Sequence, residues 1–137
     1  MERLTAAGGY WLGTVAPDGR PHVVPVWGVM VDHDLYLETG APETAKMRNL
    51  AHDRRVQVHL DDVEDVVIVN GTAELVQPTG ELATALCAAF AAKYEGYTPT
   101  PDDWGASGHG GLARIDPETV LAWRDMPTAT RWRLRRT

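Results

Sequence analysis

The chain has 137 residues, with 13 Lys+Arg against 19 Asp+Glu and a formal net charge of −6. That length suggests one domain spanning 1–137 around one core. Apolar residues make up 44% and charged residues 23%, the balance of a globular protein and not of a disordered one. The acidic balance argues against a protein whose main work is gripping nucleic acid, because neutralising phosphates needs clustered cations. The one basic cluster is Arg131, Arg133, Arg135 and Arg136. Lone Cys87 excludes an intramolecular disulfide framework and a Cys-cluster zinc site. With no apolar run long enough for a signal peptide or a membrane span, the expectation is a cytoplasmic protein without membrane contact.

The predicted elements begin with a strand at Tyr10–Ala16, which ends at Pro17-Asp18-Gly19. Proline presets that turn and glycine supplies the positive φ, so a hairpin into a second strand, His22–Val31, is expected. A polar connection at Asp32-His33-Asp34 leads to a third strand, Leu35–Thr39, and the three read as an antiparallel meander. The period then changes. Pro42 suits a first helical position, and Met47, Leu50 and Ala51 share one face of a short helix ending near His52-Asp53.

Arg55–Leu60 alternates apolar and polar residues as a half-buried strand does. After the acidic turn Asp61–Asp65, a long strand over Val66–Gln77 carries a bulge at Asn70-Gly71. Thr79 is placed to cap a second helix in which Leu82, Leu86, Ala89, Phe90 and Tyr94 recur at helical spacing, with Gly96 as its stop. Tyr97–Gly111 is rich in Pro, Gly and Asp, a loop long enough for a lid or a partner contact. Leu112–Asp116, Thr119–Asp125 and Thr130–Leu134 read as closing strands. About seven strands and two helices without regular β-α alternation point to a small antiparallel barrel with helices on its rim.

Three constellations carry chemistry. Thr39, at a strand end before a glycine turn and a helix start, brings a hydroxyl and free amides near Lys46, one of only two lysines. Hydroxyl, backbone donors and a cation are what a phosphate needs. Set against this is a self-capped helix with Lys46 paired to Glu43. Next, Arg20-Pro21-His22 leads into Pro25-Val26-Trp27. Proline places that strand at an edge or a bulge, where Trp27 either walls a planar heterocycle or fills the core. In Thr130-Arg131-Trp132-Arg133, alternation puts both arginines on one face, for an anion or a partner subunit or as a solvated strand end.

Other chemistry lacks a home. The five histidines have no zinc-ligand spacing, Ser107 is the only serine, and neither a nucleophile elbow nor a Walker loop occurs.

The order Thr14, Pro17-Asp-Gly-Arg-Pro-His22, Pro25-Val26-Trp27, Leu35-Tyr-Leu-Glu-Thr39 and Ala45-Lys-Met-Arg-Asn-Leu50 resembles the flavin/deazaflavin oxidoreductases, the pyridoxamine 5'-phosphate oxidase-like split β-barrels. Val69-Asn-Gly-Thr-Ala73 and Thr130-Arg-Trp-Arg-Leu134 fit the branch that commonly uses the deazaflavin coenzyme F-420. The resemblance implies a mainly β fold, a six-stranded antiparallel split barrel with flanking helices, forming a homodimer with cofactor sites at the interface. It implies an oxidoreductase moving a hydride between F-420, or alternatively FMN, and a small organic substrate; a non-catalytic cofactor-binding module is the rival.

By the same resemblance, Thr39 and Lys46 contact the cofactor phosphate, with Arg48 and Asn49 on the same helix. His22, Pro25, Val26 and Trp27 lie along the ring, and Arg131 and Trp132 approach from the partner chain. An arginine-lined groove of Arg48, Arg54 or Arg55 would suit the oligoglutamate tail of F-420, and a closed pocket would suit FMN. His22 is the least poor general acid. Two departures are Thr44, where some relatives have a second cation, and an N-terminus with little room for a leading helix.

Overall fold

The first half of the chain is laid out around a break at Trp27. In the computed structural model, which describes residues 2–105, 110–124 and 130–134, β1 (Tyr10–Val15) pairs antiparallel with β2 (Pro21–Val26). After Trp27 the chain continues as β3 (Gly28–Val31), which pairs with β4 (Asp34–Gly40) and not with β1.

The remaining strands are β5 (Arg55–His59), β6 (Val66–Leu75), β7 (Gly111–Trp123) and β8 (Thr130–Arg133). Their order is β2-β1-β5-β6-β7-β4-β3, with β8 added on β7. Because β2 and β3 are consecutive in the chain yet end the sheet on opposite sides, the sheet must curl back on itself. Trp27 closes the ring, its carbonyl accepting a 2.9 Å hydrogen bond from Glu38 N. Counting β2 and β3 as one bent strand, the barrel has six staves, as expected. The expected antiparallel succession of the first three strands holds, but the middle one is split: its β2 half pairs with β1 and its β3 half with β4. Gly28, where an added Cβ would fall 2.5 Å from Leu37 Cδ2, lets the bent strand pass to the far edge.

Local chemistry explains the turns. Gly19 takes φ +85° after Pro17-Asp18, and Asp18 Oδ1 accepts from Arg20 N at 3.0 Å. Asp32 and His33, at φ 51° and 68°, form the two-residue reversal between β3 and β4. The bulge between Asn70 and Gly71 is present, and the two expected closing strands over 112–125 are one continuous β7 against β6.

The helices are α1 (Glu2–Ala6), α2 (Ala45–His52) and α3 (Gly80–Lys93). α1 is a leading helix after all, though only five residues long. α2 starts later than Pro42 because a turn closed by Thr44 N to Ala41 O precedes it. Thr79 does sit at the N-cap of α3, without a side-chain cap bond.

Two cores follow from strand alternation. Leu35 and Leu37 point into the barrel with Leu12, Val58, Val69 and Ile115. Tyr36, on the opposite face, joins Val29, Leu86, Phe90, Tyr94, Trp104 and Leu112 in an outer core under α3. Each fully buried Leu or Phe here is worth about 1.5–3 kcal/mol over exposure. Among the described residues, no helix is long and apolar enough to cross a membrane.

Candidate functional site

A cavity of about 680 Å³ opens where the barrel closes, between the Trp27 corner, the end of β4, the first turn of α2 and the loop after α3. Its size lies within the range of small-molecule and cofactor pockets. Of the residues singled out from sequence, Pro25, Val26, Trp27 and Lys46 line it. Glu38, Gly40, Tyr97, Asp103 and Gly110 complete most of the wall.

Trp27 forms a wall of the cavity rather than core. It remains 48% exposed and stacks on Tyr94 with ring centroids 4.3 Å apart and planes 7° apart. Tyr97 meets it at 5.5 Å, tilted by 59°. The corner is held from behind by the C-terminal end of α3. Gly28 N donates to Tyr94 Oη at 2.9 Å, and Lys93 Nζ donates to Gly28 O and Tyr10 Oη, each at 2.9 Å. Tyr10 Oη in turn donates to Leu4 O, which ties α1 to the same point. Burial brings the Lys93 ammonium down to about 8 and pushes the Tyr10 phenol up.

Lys46 is the cation of the cavity. It lies in the first turn of α2, its Nζ 3.0 Å from where a Cβ on Gly40 would stand, and Gly40 has φ +82°. No ion pair joins it to Glu43 or to any other described residue. The Thr44 hydroxyl donates to Ala41 O at 2.8 Å and caps no amide of α2. An ammonium at the positive end of a helix with free amides is stabilised by an anion.

Thr39 is not placed as expected. Its neighbours in sequence, Glu38 and Gly40, line the cavity, but its own side chain faces the barrel interior and is fully buried. An added Cβ on Gly111 would lie 2.5 Å from Thr39 Oγ1 and 2.9 Å from Met47 Cε. The hydroxyl has no hydrogen-bond partner.

The remaining expected residues lie elsewhere. Asn49 is buried and donates to Thr14 Oγ1 at 3.0 Å, joining α2 to β1. Half-buried His22 sits opposite Thr14, its Nδ1 without a partner. Arg48 and Arg54 are exposed, and Arg55 is bound to Asp53 at 2.7 Å; none of the three lines the cavity. Arg131 and Trp132 are exposed on β8, opposite Leu121 and Val120. Arg135 and Arg136 lie outside the described residues, as does 106–109 of the expected loop.

Glu38 was missed from sequence, although the alternation in Leu35-Tyr-Leu-Glu-Thr39 already separates it from Thr39. Tyr97 belongs to the loop expected as a lid or partner contact, and lines the cavity with Asp103 and Gly110. Glu38 Oε2 accepts from Tyr97 Oη at 2.7 Å and Trp104 Nε1 at 3.4 Å. Burial and the Asp103 charge push its carboxyl above the usual range, while these two bonds hold it back. Asp103 caps its own turn by accepting from Thr100 N at 2.7 Å.

The donor set fits a planar group carrying a phosphate. The aromatic corner offers a stacking wall, Lys46 and the free amides of α2 offer the anion contact, and Lys46 is the one cation among the cavity's described lining residues.

A curled six-stave barrel with such a cavity at its closing corner defines the class of split-barrel proteins. The chain belongs to the pyridoxamine 5'-phosphate oxidase family, whose profile matches residues 2–124. Among solved structures it is similar to the conserved hypothetical protein Rv2991 of Mycobacterium tuberculosis, at 26% identity and TM-score 0.71, covering 89% of this chain and 80% of that one. It is also similar to an F-420 reductase (23% identity, TM-score 0.63, covering 87% and 94%). The heme storage protein HutZ of Vibrio cholerae shares the fold as well (18%, TM-score 0.68, covering 85% and 86%). No curated protein matches the chain by sequence.

Proposed function

We propose that the protein is an oxidoreductase that holds coenzyme F-420 in this cavity and transfers a hydride to or from a small organic acceptor. The observation that carries the reading is the pairing, across one cavity, of a free ammonium at the start of α2 with the Pro25-Val26-Trp27 wall. Lys46 holds the phosphate, the wall positions the ring, and Tyr97 narrows the space left to water. When bound, the deazaflavin supplies the two-electron chemistry, and the chain supplies binding, orientation and charge placement.

FMN is the second reading. It is favoured by the absence of Arg48, Arg54 and Arg55 from the cavity wall, which leaves an oligoglutamate tail without the basic groove expected for it. The reading includes a homodimer, supported by exposed apolar Val23 and Trp132 on the outer strands.

The test is a fluorescence titration of the purified protein with F-420 and with FMN, alongside Lys46→Ala. Tight binding of one cofactor, weakened about tenfold or more in Lys46→Ala, is expected for a lost charge-assisted phosphate contact. Binding of neither at tens of micromolar overturns the reading. Once a cofactor binds, steady-state reduction of an acceptor separates an enzyme from a cofactor carrier.

A further inference from the structure

Reduction of a polarised C=C, C=N or C=O acceptor consumes a hydride at one atom and a proton at the other, and His22, the least poor acid by sequence, does not line the cavity. We propose that Glu38 is the proton-transfer residue of this cavity, carrying on Oε1 the proton that the acceptor takes up. The inference rests on the oxidoreductase reading above.

Geometry selects the oxygen. Both hydrogen bonds to the Glu38 carboxyl fall on Oε2, from Tyr97 Oη at 2.7 Å and Trp104 Nε1 at 3.4 Å. Oε2 is thus the oxygen already engaged, by the Tyr97 hydroxyl and by an indole N–H that only donates. Oε1 receives no hydrogen bond from a described residue and is the carboxyl oxygen open to exchange a proton with a bound acceptor. Strand alternation gives Glu38 to the cavity, on the face opposite Thr39.

The environment supports a retained proton. The charged and titratable groups around Glu38 are Asp103, Tyr97, Tyr94 and, across the cavity, Lys46. Desolvation is the leading influence and favours the neutral acid, as it does for carboxyl groups that act as general acids.

The step balances as follows. The acceptor's π bond opens as a C–H bond forms with a hydride whose electron pair comes from the reduced deazaflavin or flavin. The Glu38 Oε1–H bond breaks, its proton bonds to the other acceptor atom, and water reprotonates the carboxylate through the open cavity. In the oxidising direction Glu38 takes the proton instead.

Two readouts test this. The first is infrared titration of the cofactor-free protein: a protonated-carboxyl C=O band should persist above the range of ordinary glutamates and be missing in Glu38→Gln. A band titrating with the ordinary glutamates overturns the proposal. The second is the pH profile of acceptor reduction, in which Glu38→Gln should lose the alkaline limb while binding cofactor within about threefold of wild type, a change of under 1 kcal/mol. Tyr97→Phe removes a donor that favours the ionised form, so it should move the limb to higher pH, and it carries the test if Glu38→Gln fails to fold.

A residue that only ties the loop to β4 would move neither limb. A wild-type profile in Glu38→Gln with cofactor bound overturns the transfer role alone. Failure of both cofactors to bind wild type overturns the cofactor reading and the transfer role with it, whatever the infrared band shows.

Discussion

Trp27 lies flat on Tyr94, with ring planes 7° apart, while the Tyr94 hydroxyl exchanges two hydrogen bonds with the backbone of Gly28, the residue after Trp27. One tyrosine therefore supports both the wall of the cavity and the corner at which the barrel closes. Offset aromatic pairs contribute roughly 0.5–1.5 kcal/mol beyond their burial. Trp27→Ala should thus cost only about 1 kcal/mol of stability, since the indole is half exposed, yet weaken cofactor binding at least tenfold. Denaturant melts and the cofactor titration check the two effects separately. Unchanged affinity would remove Trp27 from the ring site.

Thr39→Val distinguishes the barrel-facing orientation of Thr39 from a phosphate contact. The hydroxyl is buried without a partner, and leaving such a group unsatisfied costs roughly 1–3 kcal/mol. The isosteric valine should raise stability by about 1 kcal/mol and leave cofactor affinity within about twofold. A tenfold loss of affinity would show the hydroxyl reaching the phosphate after Met47 moves aside.

Gly71→Ala should be among the most damaging single changes in the protein. An added Cβ would enter the Asp116 carbonyl and lie 2.9 Å from its carbon and 3.0 Å from Pro117 Cα, all backbone that cannot rotate away. The bulge would have to open and the β6–β7 pairing with it. A loss of about 3 kcal/mol or more is expected, in the upper range for point changes. A cost below about 1 kcal/mol in urea unfolding would mean that the bulge relaxes freely.

How much of this was legible in the sequence depends on the range of the interaction concerned. The Pro17-Asp18-Gly19 turn, the alternation of β5, the bulge at Asn70-Gly71 and the span of α3 are local, and they stand where the residue pattern puts them. The break at Trp27 was not legible, because β-branched residues continue on both sides of it. What breaks the strand is the pairing of Gly28–Val31 with β4 and the anchoring of Gly28 by Lys93 and Tyr94, 65 and 66 residues away.

The candidate site divides in the same way. Short motifs mark Lys46 and Pro25-Val26-Trp27 as candidates but leave Trp27 between wall and core, and the fold brings them to one cavity. Thr39 was assigned to the phosphate by its position at a strand end, and its orientation is decided by which face of β4 meets Gly111 and Met47. Glu38 becomes a cavity residue only when Tyr97 and Trp104 fold over it from a distant loop.

The Lys93 ammonium gives the last expectation, a pH dependence of stability with a defined sign. Burial lowers its value from 10.5 to about 8 in the folded protein. Between those values the unfolded chain binds more protons than the folded one, so stability rises with pH across that window. Below pH 8 both states hold the proton, and the desolvation penalty is present in full. Tyr10, Tyr94 and Tyr97, whose phenols burial pushes up, act in the opposite sense above pH 10, and Cys87 does so from about pH 9. The wild-type curve is thus a sum, and the difference between wild type and Lys93→Met isolates the lysine. Urea unfolding at half-unit steps from pH 7 to 10.5 should show the wild type gaining on the methionine variant throughout the upper part of that range. A constant difference across the range would mean that Lys93 keeps its ordinary proton affinity, and that its bonds to Gly28 O and Tyr10 Oη offset the cost of burial.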